Sequence, residues 1–463
     1  MMLLSEAANA IQAQLLGVDT LFTSVGTDSR SIKKGQLFVA LKGDHFDGHA
    51  FAVQAIEQGA AAVLVSDKNL AVQPAILVDD TCQALGELAA YWRNKFDIPL
   101  AAITGSNGKT TVKEMLASIL RMASEHSDEV LATVGNLNNH IGLPLTLLKL
   151  NAQHRYAVAE MGMNHTGEIS YLSNIGKPTV ALINNAGNAH IGELGSFEAI
   201  AKAKGEIFEG LAEDGTAVIN ADDAFSSLWM RLAGHHKVIT FGLKNEADVS
   251  ASYQLNASSS DIEINTPQGA IKVNLPTPGL HNVMNALAAT SAALAMGVTL
   301  KSIVAGLENY AGVKGRLQHK AGLNAALVID DTYNANPMSM KVAIDVLMAM
   351  PGEKILVLGD MGELGDCAAE MHAEIGSYAK ASGLSALYLL GEMSVETAKA
   401  FGAGARHYAT PQTLATDLVK QMKQGVNVLV KGSRFMAMER VVDEIINKNT
   451  DLKNIDTKNG ERH

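Results

Sequence analysis

At 463 residues the chain is longer than one hydrophobic core usually serves, and ordinary domain size divides it into about three units. A formal net charge of −11 disfavours loose attraction to nucleic acid or to an anionic membrane, while leaving room for a local basic pocket that takes phosphates; small-molecule partners are expected, with no nucleic acid and no membrane insertion. Cys82 and Cys367 are the only cysteines, too few and too far apart for a disulfide framework or a thiolate metal site, and they read as ordinary core thiols.

The stretch from Met1 to Gln14 is amphipathic without a basic start and apolar centre, and no uncharged apolar run reaches membrane-spanning length. A cytoplasmic protein is expected. Residues 1–82 carry short strands at Leu37 to Leu41 and Ala62 to Val65 with a helix at Ala50 to Gln58 between them, the pattern of a small α/β domain. A helix over Ala84 to Asn94 stops before Asp97-Ile98-Pro99, since the residue ahead of proline is biased away from helix. A second unit, residues 83–314, follows. Its buried-looking strands at Leu100 to Thr104, Tyr156 to Glu160, Val180 to Asn184 and Ala217 to Asn220 alternate with helices and predict a mostly parallel sheet. Polar alternation at Asp261 to Asn265 and Ile271 to Leu275 predicts an added antiparallel hairpin. After an alanine-rich helix near 282–296, the glycine-bearing stretch from Ala311 to Arg316 marks another boundary. The third unit, residues 315–452, has strands at Ala326 to Asp330, Lys354 to Leu358, Ala386 to Leu390 and Val426 to Val430, each followed by helical sequence, which predicts a Rossmann-like sheet. The polar tail from Lys448 is expected to fray. The fold class is therefore α/β in three domains.

The most informative segment is the strand Ala101 to Thr104, then Gly105-Ser106-Asn107-Gly108-Lys109-Thr110-Thr111, then a helix over Val112 to Arg121. Glycines let the backbone approach phosphate oxygens, free amides at the helix start bind anions, Lys109 neutralises phosphate charge and Thr110 offers an oxygen to Mg2+. ATP is the expected ligand. The usual spacing would put a glycine where Ile103 stands, so the loop is a shortened variant. Glu160 stands at the carboxyl end of its strand, where open α/β sheets place ligands, although strand-end glutamates often serve only as caps or surface charges. His190 reads as a loop residue, and Lys204 as a lysine of a helix over Phe197 to Leu211. Asn282 and Asn285 share one helix face, where Asn282 is also a candidate cap. Arg316 sits at the boundary, from which a guanidinium can reach a phosphate held by another domain. Asp331, Asn334 and Asn336 occupy a strand-end loop where turn formation alone would also explain them.

Thr104 to Thr111 resembles the ATP loop of the Mur ligases, and Gly135 to Asn139, Glu160-Met-Gly162, Asn184 to His190, Lys204, His281-Asn282 with Asn285, and Arg316 resemble further motifs of that family in the same order. The resemblance covers nearly the whole chain. It implies a monomeric, ATP- and Mg2+-dependent amide-forming ligase of cell-wall precursor synthesis that passes through an acyl phosphate. It further implies that Thr110 and Glu160 share one Mg2+, that His190 and a carbamylated Lys204 hold a second, and that Asn282, Arg316 and Asp331 contact nucleotide. Lys202 is a rival to Lys204, which the Ala-Lys-Gly-Glu frame matches better. Ser29 and Arg30, in Thr27 to Arg30, resemble the uridine-diphosphate site, and Asn136 and Asn139 are expected substrate contacts. The segment Asp331 to Pro337 resembles family members that add D-alanyl-D-alanine to UDP-N-acetylmuramoyl-tripeptide, with Asn334 and Asn336 as candidate contacts to that substrate. A sister ligase adding meso-diaminopimelate would carry an Asp-Asn-Pro-Arg segment, absent here; a folylpolyglutamate synthetase would leave Thr27 to Arg30 unexplained; a nonenzymatic ATP-binding regulator would not require Glu160, His190 and Lys204 together.

Overall fold

All five residues of the strand Leu100–Thr104 are buried, because apolar layers cover both of its faces. A computed structural model describes residues 1–43, 46–187, 195–256 and 259–446. In it, Leu100–Thr104 lies inside a parallel six-stranded sheet ordered Lys237–Phe241, Thr216–Asn220, Val180–Ile183, Leu100–Thr104, Tyr156–Glu160, Val130–Ala132. The side chains of Ala101 and Ile103 face the helices Lys109–Ala123, Leu280–Ala295 and Leu300–Glu308. Those of Leu100 and Ala102 face the opposite layer, which includes the helices Gly142–Leu147, Glu168–Gly176 and Phe197–Gly205. Small residues along the strand permit helices on both sides, the requirement of a parallel sheet. The chain leaves Leu100–Thr104 for strands on one side and returns to Val180–Ile183 on the other, so this strand borders a topological switch point, where α/β sheets open a crevice at their carboxyl ends.

Before this sheet stands a five-stranded one ordered Gln14–Leu16, Ala75–Leu77, Ala62–Val65, Gln36–Val39, Ser24–Gly26, parallel except for its first strand. The helix Thr81–Arg93 joins the two: Leu85 and Leu88 belong to one apolar cluster with Leu37 and Leu64 of the first sheet and Leu100 of the second. After the central sheet the chain forms the antiparallel strands Ser250–Leu255, Ser260–Thr266 and Gly269–Leu275. A further six-stranded sheet is ordered Gln318–Ala321, Leu327–Asp331, Val426–Lys431, Glu353–Gly359, Ala386–Leu390, Ala405–Tyr408, with only its first strand antiparallel. The molecule is thus α/β in three domains, with a Rossmann-like sheet at the C-terminal end.

Several expectations are corrected. Cys367 is exposed and Cys82 half-buried, so neither is a core thiol. The helix expected to reach Leu211 ends at Gly205 and tightens into the 3-10 turn Glu206–Phe208. The helix expected from Ala50 is α-helical only over Ala52–Glu57, because Asp47 first caps the 3-10 turn Gly48–Phe51. The expected hairpin gains the strand Ser250–Leu255. The tail from Lys448 lies outside the described residues. Among the described residues no helix is long and apolar enough to cross a membrane.

Gly306 lets the helix Leu300–Glu308 approach Lys109–Ala123. A methyl group there would lie 2.2 Å from the Ile119 Cα, and Ser118 Oγ donates to the Gly306 carbonyl at 2.7 Å. Gly306→Ala must push these helices apart, and overpacking of this kind costs about 1–3 kcal/mol. Urea denaturation should show a lower midpoint for this variant, with the slope unchanged.

Candidate active site

The loop after Leu100–Thr104 is held by asparagines. Gly108 has φ +80° and stands at the N-cap of Lys109–Ala123. A Cβ on Gly108 would meet Asn184 Nδ2 at 2.4 Å and Asn285 Oδ1 at 2.5 Å, so conformation and space both require glycine. The Asn107 amide donates to Asn185 Oδ1 at 2.9 Å, and the Asn107 carbonyl accepts from Asn184 at 2.9 Å and Asn185 at 3.0 Å. The Ser106 hydroxyl accepts from the Gly187 amide at 2.8 Å. Asn184 also donates to Asn285 at 3.1 Å, tying the loop to Leu280–Ala295. Asn282, buried on the same helix, turns back to the Pro278 carbonyl at 2.8 Å; its side chain is not the cap, since Gly279 holds the N-cap position.

Lys109 and Thr110 open the helix, and Thr110 and Thr111 are buried. Lys109 Nζ donates to the Gly105 carbonyl at 2.6 Å. Burial pushes its pKa below the usual lysine range, the Glu160 carboxylate opposes this, and Arg316 adds to it. Thr110 Oγ donates to Glu160 Oε2 at 2.9 Å and accepts from Arg316 Nη2 at 3.1 Å. The guanidinium of Arg316 lies over the Tyr333 ring at 4.2 Å, and its buried Nε has no partner among the described residues. Asn138 Nδ2 donates to Glu160 Oε1 at 2.8 Å. Thr110, Glu160 and Arg316 therefore converge. Asn138 was missed although it stands in the quoted Gly135 to Asn139 segment. There Asn139 Oδ1 accepts from the Gly142 amide at 2.8 Å, while Asn136 is exposed.

Lys204 is 2% exposed. Burial drives its pKa well below the ordinary lysine value, the neighbouring Lys109 charge reinforces this, and Asp223 opposes it. Lys202 instead points outward and pairs with Glu198 at 2.8 Å, which sets it apart from Lys204. His190 lies outside the described residues. No group of three or more His, Cys, Asp or Glu side chains is placed to hold a metal among the described residues. Mg2+ needs less, because it retains waters and takes substrate phosphates, and the Thr110 and Glu160 oxygens suit such a hard cation.

From the C-terminal sheet, Asp331 ends its strand and pairs with Lys431 at 2.7 Å; burial raises its pKa and Lys431 counters that rise. Lys431 also donates to the Asn334 carbonyl at 2.8 Å. Asn336 caps the helix Pro337–Ala349 through Ser339, and its Nδ2 donates to Asn107 Oδ1 at 2.9 Å, so both ends of its amide are engaged. The loop at residues 105–111 thus meets the third domain through Asn107, which the sequence pattern assigns to nucleotide only. Arg30 is exposed and pairs in bidentate fashion with Asp28 at 2.9 Å, beside a half-buried Ser29 on the N-terminal unit.

Three Mur ligase models match in order: the Mur ligase family catalytic domain over residues 21–93, the Mur ligase middle domain over 103–293, and the Mur ligase glutamate ligase domain over 315–434. The chain belongs to the Mur ligase family. It is 42% identical to the UDP-N-acetylmuramoyl-tripeptide–D-alanyl-D-alanine ligase of Escherichia coli, over 95% of this chain and 97% of that protein. It is 37% identical to the ligase of the same name from Bacillus subtilis, over 92% and 94% of the two chains. Among solved structures, MurF from Acinetobacter baumannii superposes with a TM-score of 0.88 at 38% identity, covering 95% of this chain and 97% of that one. The MurF ligase from Thermotoga maritima in complex with ADP gives 0.80 at 29%, covering 92% and 97%.

A buried lysine with a lowered pKa destabilises the folded state at neutral pH, because the unfolded chain binds the proton more tightly. That cost falls as pH rises from the folded value toward the ordinary lysine value. Lys204→Met should therefore melt at or above the wild-type temperature at pH 7, and the gap should narrow toward pH 10 in differential scanning fluorimetry.

Proposed function

We propose that this chain joins D-alanyl-D-alanine to UDP-N-acetylmuramoyl-tripeptide at the expense of ATP, giving the UDP-muramoyl-pentapeptide of peptidoglycan synthesis. The observation that carries the reading is the meeting of Thr110, Glu160 and Arg316 beside Lys109, in a chain whose full-length relatives bear this ligase's name. Gly105, Ser106, Asn107, Gly108, Lys109, Thr110 and Thr111 cradle the triphosphate, while Asn282, Arg316 and Asp331 complete the nucleotide site. Residues 1–82, with Ser29 and Arg30, take the uridine diphosphate; residues 83–314 take ATP, with Asn136 and Asn139 toward the muramoyl substrate; residues 315–452, with Asn334 and Asn336, take the dipeptide. A monomer in the cytoplasm fits this role.

The terminal carboxylate of the tripeptide attacks the γ-phosphorus, forming an acyl phosphate and releasing ADP. The amine of D-alanyl-D-alanine then attacks the acyl carbon, the amide forms, and inorganic phosphate leaves with the electrons of the broken C–O bond. Carboxylate and triphosphate repel one another, so Lys109 and Arg316 offset charge as it gathers between them. Mg2+ held by Thr110 and Glu160, with a second ion at His190 and a carbamylated Lys204, supplies further charge neutralisation when bound. The lowered pKa of Lys204 favours that modification, since the uncharged amine is the form that adds carbon dioxide. Arg316, at the start of the third domain, reaches back to the phosphate loop and thereby aligns the reactants and sheds water that would hydrolyse the acyl phosphate.

Purified protein with ATP, Mg2+ and UDP-muramoyl-tripeptide should release ADP in a manner that requires D-alanyl-D-alanine, with the pentapeptide product seen by mass spectrometry. Turnover with a different amine and silence with this one would keep the ligase and discard the acceptor. Lys109→Ala should lose turnover by at least a hundredfold, of the order expected when a group that stabilises transition-state charge is removed, while circular dichroism stays unchanged; near-normal rates would remove Lys109 from the mechanism.

A further inference from the structure

One turn beyond Lys109 on the same helix lies a lysine that the proposed mechanism does not use. Lys113 is 1% exposed; its Nζ donates to the Thr133 carbonyl at 2.6 Å and lies 2.7 Å from Glu114 Oε1. A buried ammonium is costly unless paired and hydrogen-bonded, and an apolar residue would fill this interior at less expense. What the lysine adds over an apolar residue is therefore its ammonium, which the Glu114 carboxylate pairs and which donates to the Thr133 carbonyl.

Thr133 follows the edge strand Val130–Ala132, is itself 1% exposed, and has all its polar groups engaged. Its amide donates to the Val158 carbonyl at 3.0 Å, its hydroxyl accepts from the Glu160 amide at 3.0 Å, and its carbonyl takes Lys113. Glu160 then accepts from Thr110, which sits on the helix that carries Lys113. Lys113, Thr133, Glu160 and Thr110 form a closed ring of contacts between the start of one helix and the ends of two strands.

We propose that Lys113 is a positioning residue: through Thr133 it fixes the backbone of Glu160 and so sets where the Glu160 carboxylate stands relative to the Thr110 hydroxyl. The inference rests on the reading of Glu160 as an oxygen ligand for the ion that accompanies nucleotide. Outer partners that orient a metal ligand typically carry about 10- to 100-fold in metal affinity.

The test compares Lys113→Met, Thr133→Val, the double variant and Glu160→Gln in the full chain. It measures the Mg2+ concentration that half-saturates turnover, the calorimetric affinity for ADP with Mg2+ and in EDTA, and the melting temperature. Lys113→Met and Thr133→Val should each raise the Mg2+ requirement by about tenfold, weaken ADP binding only when Mg2+ is present, and leave the double variant no worse than the worse single. A folded Lys113→Met with a wild-type Mg2+ requirement, multiplicative effects in the double variant, or equal weakening of ADP binding in EDTA would overturn the proposal. An unchanged Mg2+ requirement in Glu160→Gln would instead remove the reading of Glu160 on which it rests. Should Lys113→Met not fold, Lys113→Arg keeps a donor and Lys113→Gln a shorter one. The Mg2+ requirement should then rise from wild type through Arg to Gln, and an unmoved requirement in both would overturn the proposal.

Discussion

The strand Leu100–Thr104 has no solvated face, and that constraint organises the central sheet around it. A strand covered on both sides needs helices above and below, which parallel crossovers supply, and the crossovers bring every strand's carboxyl end to the same edge. Thr104, Glu160 and Ile183 therefore finish side by side, as the register of Glu160 with Ile103 and of Ile183 with Thr104 records. The loop at residues 105–111 leaves from the middle of this edge, beside the switch point, where asparagines from the neighbouring strand end and from Leu280–Ala295 are within reach. The chemistry of the site is thus a consequence of burial. Apolar cover decides where the strands end, and the polar groups at those ends have mainly each other to bond.

Much of this was legible in the sequence because the signals were local. Leu100–Thr104, Ala62–Val65 and Ala386–Leu390 were placed to the residue, since each is a continuous apolar run bounded by turn residues. Edge strands were not. Val130–Ala132, Lys237–Phe241 and Ala405–Tyr408 are short or partly solvated and carry no distinctive period, and only pairing with a neighbour makes them strands. The same division holds at the site. Lys109, Thr110 and Glu160 announce themselves by type and position, whereas the contacts of Asn138 with Glu160 and of Asn107 with Asn336 join residues far apart in the chain, and nothing in either local segment predicts its partner.

Among the bonds that tie the C-terminal unit to the loop at residues 105–111 are Arg316 to Thr110 and Asn336 to Asn107, and each of these side chains from the C-terminal unit has an internal duty as well. Arg316 lies on the Tyr333 ring and Asn336 caps the helix Pro337–Ala349. Both side chains are therefore fixed within their own unit before they reach across, which lowers the conformational entropy lost when the units meet. A preorganised contact of this kind suits a reaction that must exclude water at one stage and admit an amine at the next.

The apolar layers are not distributed evenly among the units. Leu37, Leu64, Leu85, Leu88 and Leu100 share one cluster, so the first sheet and one face of the central sheet are a single body of packed side chains, hinged on no gap. The clusters around Ile329 and Val428 are separate from it. Modularity in this chain is consequently lopsided. A cut between residues 82 and 83 would divide a core and leave apolar surface on both fragments, whereas a cut near Gly312 would divide a linker. Recombination among relatives would be tolerated at the second point and penalised at the first, which makes the C-terminal unit the exchangeable part of the molecule and the first two units one inheritance.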